Sequence, residues 1–447
     1  MTDSVGFLDR LRLPHPFVLL LSGVAVAAVL TWLLPAGQFD RETDPETQAS
    51  IVIAGTYHTV EAAPVGLLDA LIAVPQGVIN GADIIVLILF VGGAFVLLDQ
   101  TGALGRLVGV LVNHVRHPTM VIAVVCLLFS TLGALVNSYE EIIALIPVLV
   151  LLSRRVGFGA VTALAMSVGA ATVGAAFGPT NPFAAGIALR YAELSPLTTV
   201  GLRSVMLLAA VGIWIWWTVS QAKKDDVKPD IGEVVHEPAT MRDLLMFVIV
   251  LLPFVIYVYG LLQMDWGFNE MSGLFLLSGY AIGLLAGYGM TGTTIRYLKG
   301  METMLVAALL VGVARSISVV LTDGQIIDTI VYGLSSPLEG VPREAAAALM
   351  VPIHALLHIP VPSNSGQAVL TMPIFAPTAD VLGIPRNVAV LAYQAGGVTM
   401  DLLTPTNGAL LAMLLSARVP FGRWVKFAAP GALLMAGVGF AGMMVAM

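Results

Sequence analysis

Two short polar stretches interrupt a chain that is otherwise soluble in hydrocarbon, and each is followed by a second polar break. The stretches are Asn137-Ser138-Tyr139-Glu140-Glu141 and Ser363-Asn364-Ser365-Gly366-Gln367, the latter inside VPSNSGQAVLTMP. The offset between them also carries Gly178-Pro179-Thr180-Asn181 onto Thr404-Pro405-Thr406-Asn407. Two motifs kept at one offset predict a duplicated unit. A polar turn within a bilayer strands backbone N–H and C=O groups at several kcal/mol each unless it is buried in protein or lines a watery cavity. In carriers built from repeats, such turns mark binding sites.

The flanking sequence leaves little room for a soluble fold. Of 447 residues, 58% are apolar and 11% charged, against roughly 25% charged in soluble domains. The reading is an all-α polytopic membrane protein with about nine full spans, at about 20 residues per span. A net charge of -7 without a clustered basic face argues against nucleic acid as a partner. The single cysteine, Cys126, lies in an apolar run, which excludes a disulfide within the chain and makes it core filler. The apolar stretch 17–34 is too long for a signal-peptide h-region and reads as a retained first span.

The first repeat is expected over 1–220. It holds a polar outer segment (36–63), an apolar stretch (64–82) that suits a surface or re-entrant helix, a span (84–98) and an interfacial helix (102–115). A re-entrant hairpin over 119–153 then carries the first polar tip. A discontinuous helix over 159–188 is broken where Pro179 and Pro182 remove donors and clash with a continued helix. The span 200–220 ends in Trp214, Trp216 and Trp217, an expected interfacial belt. A hydrophilic linker over 221–242 leads to the second repeat, 243–447. There, spans over 244–262, 272–289 and 304–321 precede a hairpin over 344–377, a discontinuous helix over 388–415 and a last span from Trp424.

Lys and Arg near helix ends orient such a layout. With the N-terminus in the cytoplasm, only Arg41, Arg190, Arg203, Arg343 and Arg386 of the 21 basic residues fall outside, and Arg315 falls mid-span. The linker is then cytoplasmic and the hairpins open to opposite faces. That is an inverted repeat, with substrate expected at the midplane between its halves.

Each tip joins hydroxyl and amide groups to the N-terminus of a short helix, whose free N–H groups and dipole favour a carboxylate. Candidate substrate ligands are Asn137, Ser138, Ser363, Asn364, Ser365 and Gln367, together with Thr180, Asn181, Thr406 and Asn407 at the breaks. Small polar residues that merely join helices are the bland alternative, and the repeated offset argues against it. Ser138, Asn181, Asn364, Asn407 and Asp401 are candidates for holding a coupling ion, Na⁺ or H⁺.

Glu140, Glu141 and Arg315 point more sharply to function, because a charge near the bilayer centre costs at least about 2.5–3.5 kcal/mol on insertion scales. The alternative is a structural Arg–Glu pair. Adjacent carboxylates in a low-dielectric site cannot both ionise cheaply, so one is expected to carry a proton. Arg315 on a substrate carboxylate, with a glutamate facing an ammonium or guanidinium, would select a zwitterionic or basic amino acid. His354 and His358, in HALLH, have the spacing of a metal pair but lack the zinc-protease glutamate, and Pro352 and Pro360 are expected to interrupt the helix. A hydrogen-bonding role beside the tip is expected instead, with no metal. No phosphate loop, nucleophile motif or cofactor fingerprint occurs. The chain reads as no enzyme, driven by an ion or exchange gradient.

Six stretches carry a family likeness: GTYHTVEAAPVGLLDAL from Gly55, GGAFVLLDQTGAL from Gly92, GPTNPFAAGIA from Gly178, VARSISVVLTDGQIIDTIV from Val313, PSNSGQAVLTMPIFAP from Pro362 and LLTPTNGALLA from Leu402. Over nearly its whole length the chain resembles the four-carbon-dicarboxylate anaerobic carrier (DcuC) family, in its YfcC-type branch, within the ion transporter superfamily. The resemblance implies two hairpins and two broken helices, a homodimer with scaffold and transport domains, elevator-like movement and a place in the bacterial inner membrane. Ser363-Asn364-Ser365 matches the superfamily's Ser-Asn-Thr tip. The first tip departs from it with Asn137-Ser138-Tyr139 and two glutamates, which suits the family's arginine/ornithine-type exchangers better than a four-carbon dicarboxylate or short-chain carboxylate carrier. An intramembrane enzyme using Glu140 with His354 or His358, or a passive channel, fits broken helices in twin repeats less well than a carrier does.

Overall fold

Apolar runs this long close their backbone hydrogen bonds within each segment, and helices are the outcome. The computed structural model describes residues 15–43, 50–114, 117–179, 181–224, 239–264 and 266–447. The chain is all-α and polytopic, apart from two small antiparallel strand pairs in the polar segment after the first helix, Gly37–Gln38 with His58–Thr59 and Arg41–Thr43 with Ser50–Val52. Asp328 anchors this segment, accepting from the Phe39 N–H at 3.0 Å and pairing with Arg41 at 2.8 Å.

Among the described residues, nine helices are long and apolar enough to cross a membrane. Their membership differs from the sequence expectation. Pro118–Val136, the first arm of the first hairpin, is one of them. The region 388–415 is not, because Arg386–Tyr393, the π turn Gln394–Val398 and Gly408–Ser416 are separate pieces with a break between the second and third. The expected span 304–321 is the end of a 35-residue helix, Gly289–Asp323, whose early turns carry Arg296 and Lys299.

The helices sort into two bundles. One is built on Gly289–Asp323, against which Pro16–Leu33, Leu67–Asn80 and Ala82–Gln100 pack, with Phe268–Leu285 and Met241–Met264 behind them. The other joins Pro118–Val136, the first broken helix, the first half of the second, Val200–Ala222, the second hairpin (Arg343–Leu357 and Asn364–Val381) and the last helix, Phe421–Ala446, while Gly408–Ser416, the second half of the second broken helix, packs on Gly289–Asp323. In this second bundle Pro118–Val136 lies backbone to backbone against Ala170–Phe177. A Cβ on Gly133 would overlap the Ala171 carbonyl, and one on Gly174 the Ser130 carbonyl. Small residues at such crossings let helices approach where lipid supplies no hydrophobic drive.

Burial refines one expectation and corrects two. Leu67–Asn80, read as a surface or re-entrant helix, lies along Gly289–Asp323 so closely that a Cβ on Gly77 would come within 2.6 Å of the Gly312 carbonyl. At about 1.5 Å per residue it is roughly 21 Å long, short of a full span. Trp214 is no belt residue, being 1% exposed and donating to the Ala165 carbonyl at 2.9 Å, at the start of the π turn Ala165–Gly169. Trp216, 61% exposed, fits the belt. Arg203, expected on the outer side, is 1% exposed and lies beside Gln394 and Met206. Pro352, expected to interrupt its helix, sits inside the continuous helix Arg343–Leu357.

Candidate functional site

Both hairpin tips reach one cavity of about 840 Å³ at the seam between the bundles. One wall is the first tip, through Asn137, Tyr139, Glu140 and Glu141; a second is the other tip, through Ser363, Asn364 and Ser365. Asp401 and Asn407 enter from the second break, and Arg315 from the long helix.

Local chemistry sets each tip. Asn137 ends Pro118–Val136 in the left-handed region, at φ 55°, a conformation that asparagine tolerates better than most residues. Four residues on, Glu141 folds back, its Oε2 accepting from the Tyr139 N–H at 2.9 Å and the Ser138 hydroxyl at 3.2 Å. Glu141 therefore shapes the turn. Glu140 lines the cavity within electrostatic reach of Arg315 and Asp401. At the second tip the Ser363 hydroxyl accepts from the Gly366 N–H at 3.2 Å and caps Asn364–Val381.

The two breaks do the same physical job in both repeats. Asn181 Oδ1 accepts from the Phe183 and Ala184 N–H groups, and Asn407 Oδ1 from the Leu410 N–H, so each caps the helix that resumes after the break. Their Nδ2 groups face the other way. Asn181 donates to the Gly133 carbonyl at 2.7 Å and to Asn137 Oδ1 at 3.3 Å, while Asn407 donates to Asp401 Oδ1 at 2.7 Å.

Several expected ligands stand behind the cavity surface. Ser138 and Asn181 support the first tip as just described. Gln367 is fully buried between His358 and the His354 carbonyl. Thr406 donates to the Ile359 carbonyl at 2.6 Å, tying the break to the second tip. Thr180 lies outside the described residues. Arg315 is not held by a glutamate salt bridge; its Nη1 donates to the Asn80 carbonyl, at the last turn of Leu67–Asn80. A helix C-terminus is a favourable seat for a cation. The hydrogen-bonding role expected of both histidines holds for His358, which bonds to Gln367 and Asp401, but not for His354, whose ring packs on Phe375 and Tyr393 with no hydrogen-bond partner among the described residues.

Residues that the sequence reading missed complete the walls. Asp69, Gln76 and Asn80 come from Leu67–Asn80, and Ser318, Thr322 and Asp323 from the long helix below Arg315. Helical spacing was the available signal: 69, 76 and 80 share one face, as do 315, 318 and 322.

Comparison with known proteins places this geometry. A family model described as C4-dicarboxylate anaerobic carrier matches residues 13–447. An uncharacterised protein of Haemophilus influenzae is 28% identical over 485 residues, covering 95% of each chain. The Escherichia coli protein named "Putative basic amino acid antiporter YfcC" is 28% identical over 472 residues, covering 94% of this chain and 93% of its own. Among solved structures, the YdaH transporter of Alcanivorax borkumensis is similar at a TM-score of 0.45 and 17% identity, over 97% of this chain and 98% of that one. MtrF of Neisseria gonorrhoeae, from a class of antimetabolite efflux pumps, is similar at a TM-score of 0.44 and 15% identity, over 98% and 97%.

Proposed function

We propose a substrate class from one premise: the chain belongs to the C4-dicarboxylate anaerobic carrier family, and is a multi-span membrane transporter. Our reading is a secondary active transporter, symporter or antiporter, of an amino acid with a cationic side chain, such as arginine or ornithine. The observation that carries it is the charge of the cavity wall. Arg315 is the one basic residue among the described lining residues, against Asp69, Glu140, Glu141, Asp323 and Asp401. A substrate carboxylate finds one partner in Arg315, which can hold it bidentately. A second carboxylate would meet carboxylates, whereas an ammonium or guanidinium would be drawn to them. The name of the Escherichia coli relative supports the same class.

Elevator movement is part of this reading. The second tip and the first break belong to one bundle, Arg315 and Leu67–Asn80 to the other, and the cavity lies at their seam, where Gly408–Ser416 packs on Gly289–Asp323. An elevator needs a fixed support, which a homodimer supplies when two stationary bundles join; native mass measurement separates dimer from monomer. We place the protein in the bacterial cytoplasmic membrane with its N-terminus inside, on the Lys and Arg bias near helix ends.

Thermal stability of the purified protein with arginine, ornithine, neutral amino acids and succinate tests the substrate, since a ligand that binds only the folded state stabilises it. Arginine or ornithine should stabilise, and labelled substrate should enter liposomes only against an opposing gradient. Stabilisation by succinate, with none by the amino acids, would put a dicarboxylate carrier in place of this reading.

A further inference from the structure

His358 follows the last turn of Arg343–Leu357 and is fully buried. Both of its ring nitrogens face acceptors. Nδ1 lies 2.8 Å from Gln367 Oε1, and the orientation of that amide is fixed because Gln367 Nε2 donates to the His354 carbonyl at 2.8 Å. An amide oxygen only accepts, so Nδ1 carries a hydrogen. Nε2 lies 2.8 Å from Asp401 Oδ1. Asp401 also accepts from Asn407 Nδ2 at 2.7 Å and from Asn364 Nδ2 at 3.0 Å. Converging donors mark an ionised, acceptor-only carboxylate, so Nε2 carries a hydrogen too. The contact between Nε2 and Oδ1 thus holds one proton. The two asparagines turn hydrogens toward Asp401, as donors to an ionised carboxylate do.

We propose that His358 and Asp401 form the proton-binding site that couples transport to pH, releasing one proton when the cationic group of the substrate enters and regaining it when that group leaves. The proposal rests on the cationic-substrate reading above. Its balance is simple. The proton on Nε2 leaves through the Asp401 carboxylate, which lines the cavity, to cavity water, the pair passes from net zero to one negative charge, and the arriving ammonium or guanidinium restores neutrality. No bond other than N–H is broken. Asp401 lines the cavity, so the substrate meets this charge directly.

The groups around the pair fit that exchange. From the first tip, Tyr139 donates to the Asp401 carbonyl, and the Glu140 and Glu141 carboxyls line the same cavity. Arg315 faces them from the long helix, and is committed in part to Asn80. On the far side, Tyr393 donates to the Asn364 carbonyl and the His354 ring packs on Tyr393 and Phe375. With every other neighbour neutral or acidic, a proton on His358 and a cationic substrate group compensate the same carboxylate.

Two measurements on the full chain in liposomes test this. In ¹⁵N-histidine NMR, with His358→Gln to assign the signal, His358 should show two protonated ring nitrogens that become one at alkaline pH. A ring with Nε2 unprotonated at every pH overturns the proposal. This readout needs no substrate, so it stands even if arginine and ornithine fail to bind, an outcome that sinks only the substrate reading. In weakly buffered solution, arginine binding should release about one proton per substrate, and arginine affinity should rise with pH by linkage. His358→Gln should bring release near zero and flatten that pH dependence. Undiminished release from the variant overturns the proposal.

Discussion

The Tyr139 hydroxyl, at the tip of the first hairpin, donates to the backbone carbonyl of Asp401, in the break of the second discontinuous helix, at 3.2 Å. The same hydroxyl accepts from Asn407 Nδ2 at 3.4 Å. One side chain of the first repeat thus satisfies two buried groups of the second, at the place where substrate is expected. Tyr139→Phe keeps the ring and removes both bonds. Leaving buried groups unpaired costs about 1–3 kcal/mol, so the melting temperature should fall by several degrees. Transport should fall with it, because the breaks lose their register to the first tip. An unchanged melting temperature would show that the tips are not interlocked through this hydroxyl.

The two tip glutamates differ in what they do. Glu140→Gln should weaken arginine or ornithine binding by about tenfold or more, on the order of 1.4 kcal/mol, without a large loss of stability. Glu141→Gln retains an oxygen that can accept from Ser138 and Tyr139, so affinity should be largely kept, whereas Glu141→Ala should lower the melting temperature by undoing the turn. Calorimetric binding and melting curves on the three variants check this. The reverse order of effects would exchange the roles.

Those roles show what was legible in the sequence. Both tips and both breaks could be read, because a polar residue in an apolar run stands out and a shared offset makes chance improbable. Asp69, Gln76 and Asn80 could not, since a 14-residue apolar helix with a proline reads as a surface element until its packing on Gly289–Asp323 is known. Trp214 and Arg203 failed for a related reason. Belt and charge-bias rules describe where residue types gather, not which face of a helix meets protein, and both side chains turn inward. The division of the candidate ligands into cavity wall and supporting layer is likewise tertiary, for Ser138 and Asn137 are neighbours in sequence and only the backbone at Asn137 sends them different ways.

Arg315 should depend on its seat as much as on its charge. Arg315→Lys keeps a cation but loses the planar fork that bonds Asn80 while facing substrate. Binding should weaken, and analogues lacking the carboxylate, such as agmatine, should lose less affinity than arginine does. Equal losses for arginine and agmatine would mean that Arg315 does not read the carboxylate.

The glycine crossing offers a test of the second bundle with an internal control. Gly133→Ala adds a methyl group that would overlap the Ala171 carbonyl, so Pro118–Val136 and Ala170–Phe177 must part. Gly212, in Val200–Ala222, has nothing within 4 Å of its Cβ position. Gly212→Ala should therefore be neutral or stabilise by about 0.4–1 kcal/mol through the unfolded chain, while Gly133→Ala should destabilise and impair transport. Equal stability of the two variants would mean that the crossing is loose.

The orientation of the hairpins is decided by labelling. Ser153 is a poor probe site, since it is fully buried and donates to the Gly159 carbonyl at 2.9 Å. Arg154 and Glu344 are exposed at the far ends of their hairpins from the cavity. Cysteines placed there singly, in a Cys126→Ala background that removes the one native thiol, should react with an impermeant reagent from opposite faces: Arg154→Cys from the cytoplasm and Glu344→Cys from outside. The physical ground is the charge bias. Arg154 and Arg155 close the first hairpin, and Lys and Arg near helix ends favour the cytoplasmic side. The second hairpin begins beside Glu344 and a single arginine, Arg343, which is tied to the C-terminal Met447 carbonyl at 3.1 Å. Reaction of both cysteines from one face would make the repeats parallel, and substrate could then not be handed between two sides by exchanging their roles.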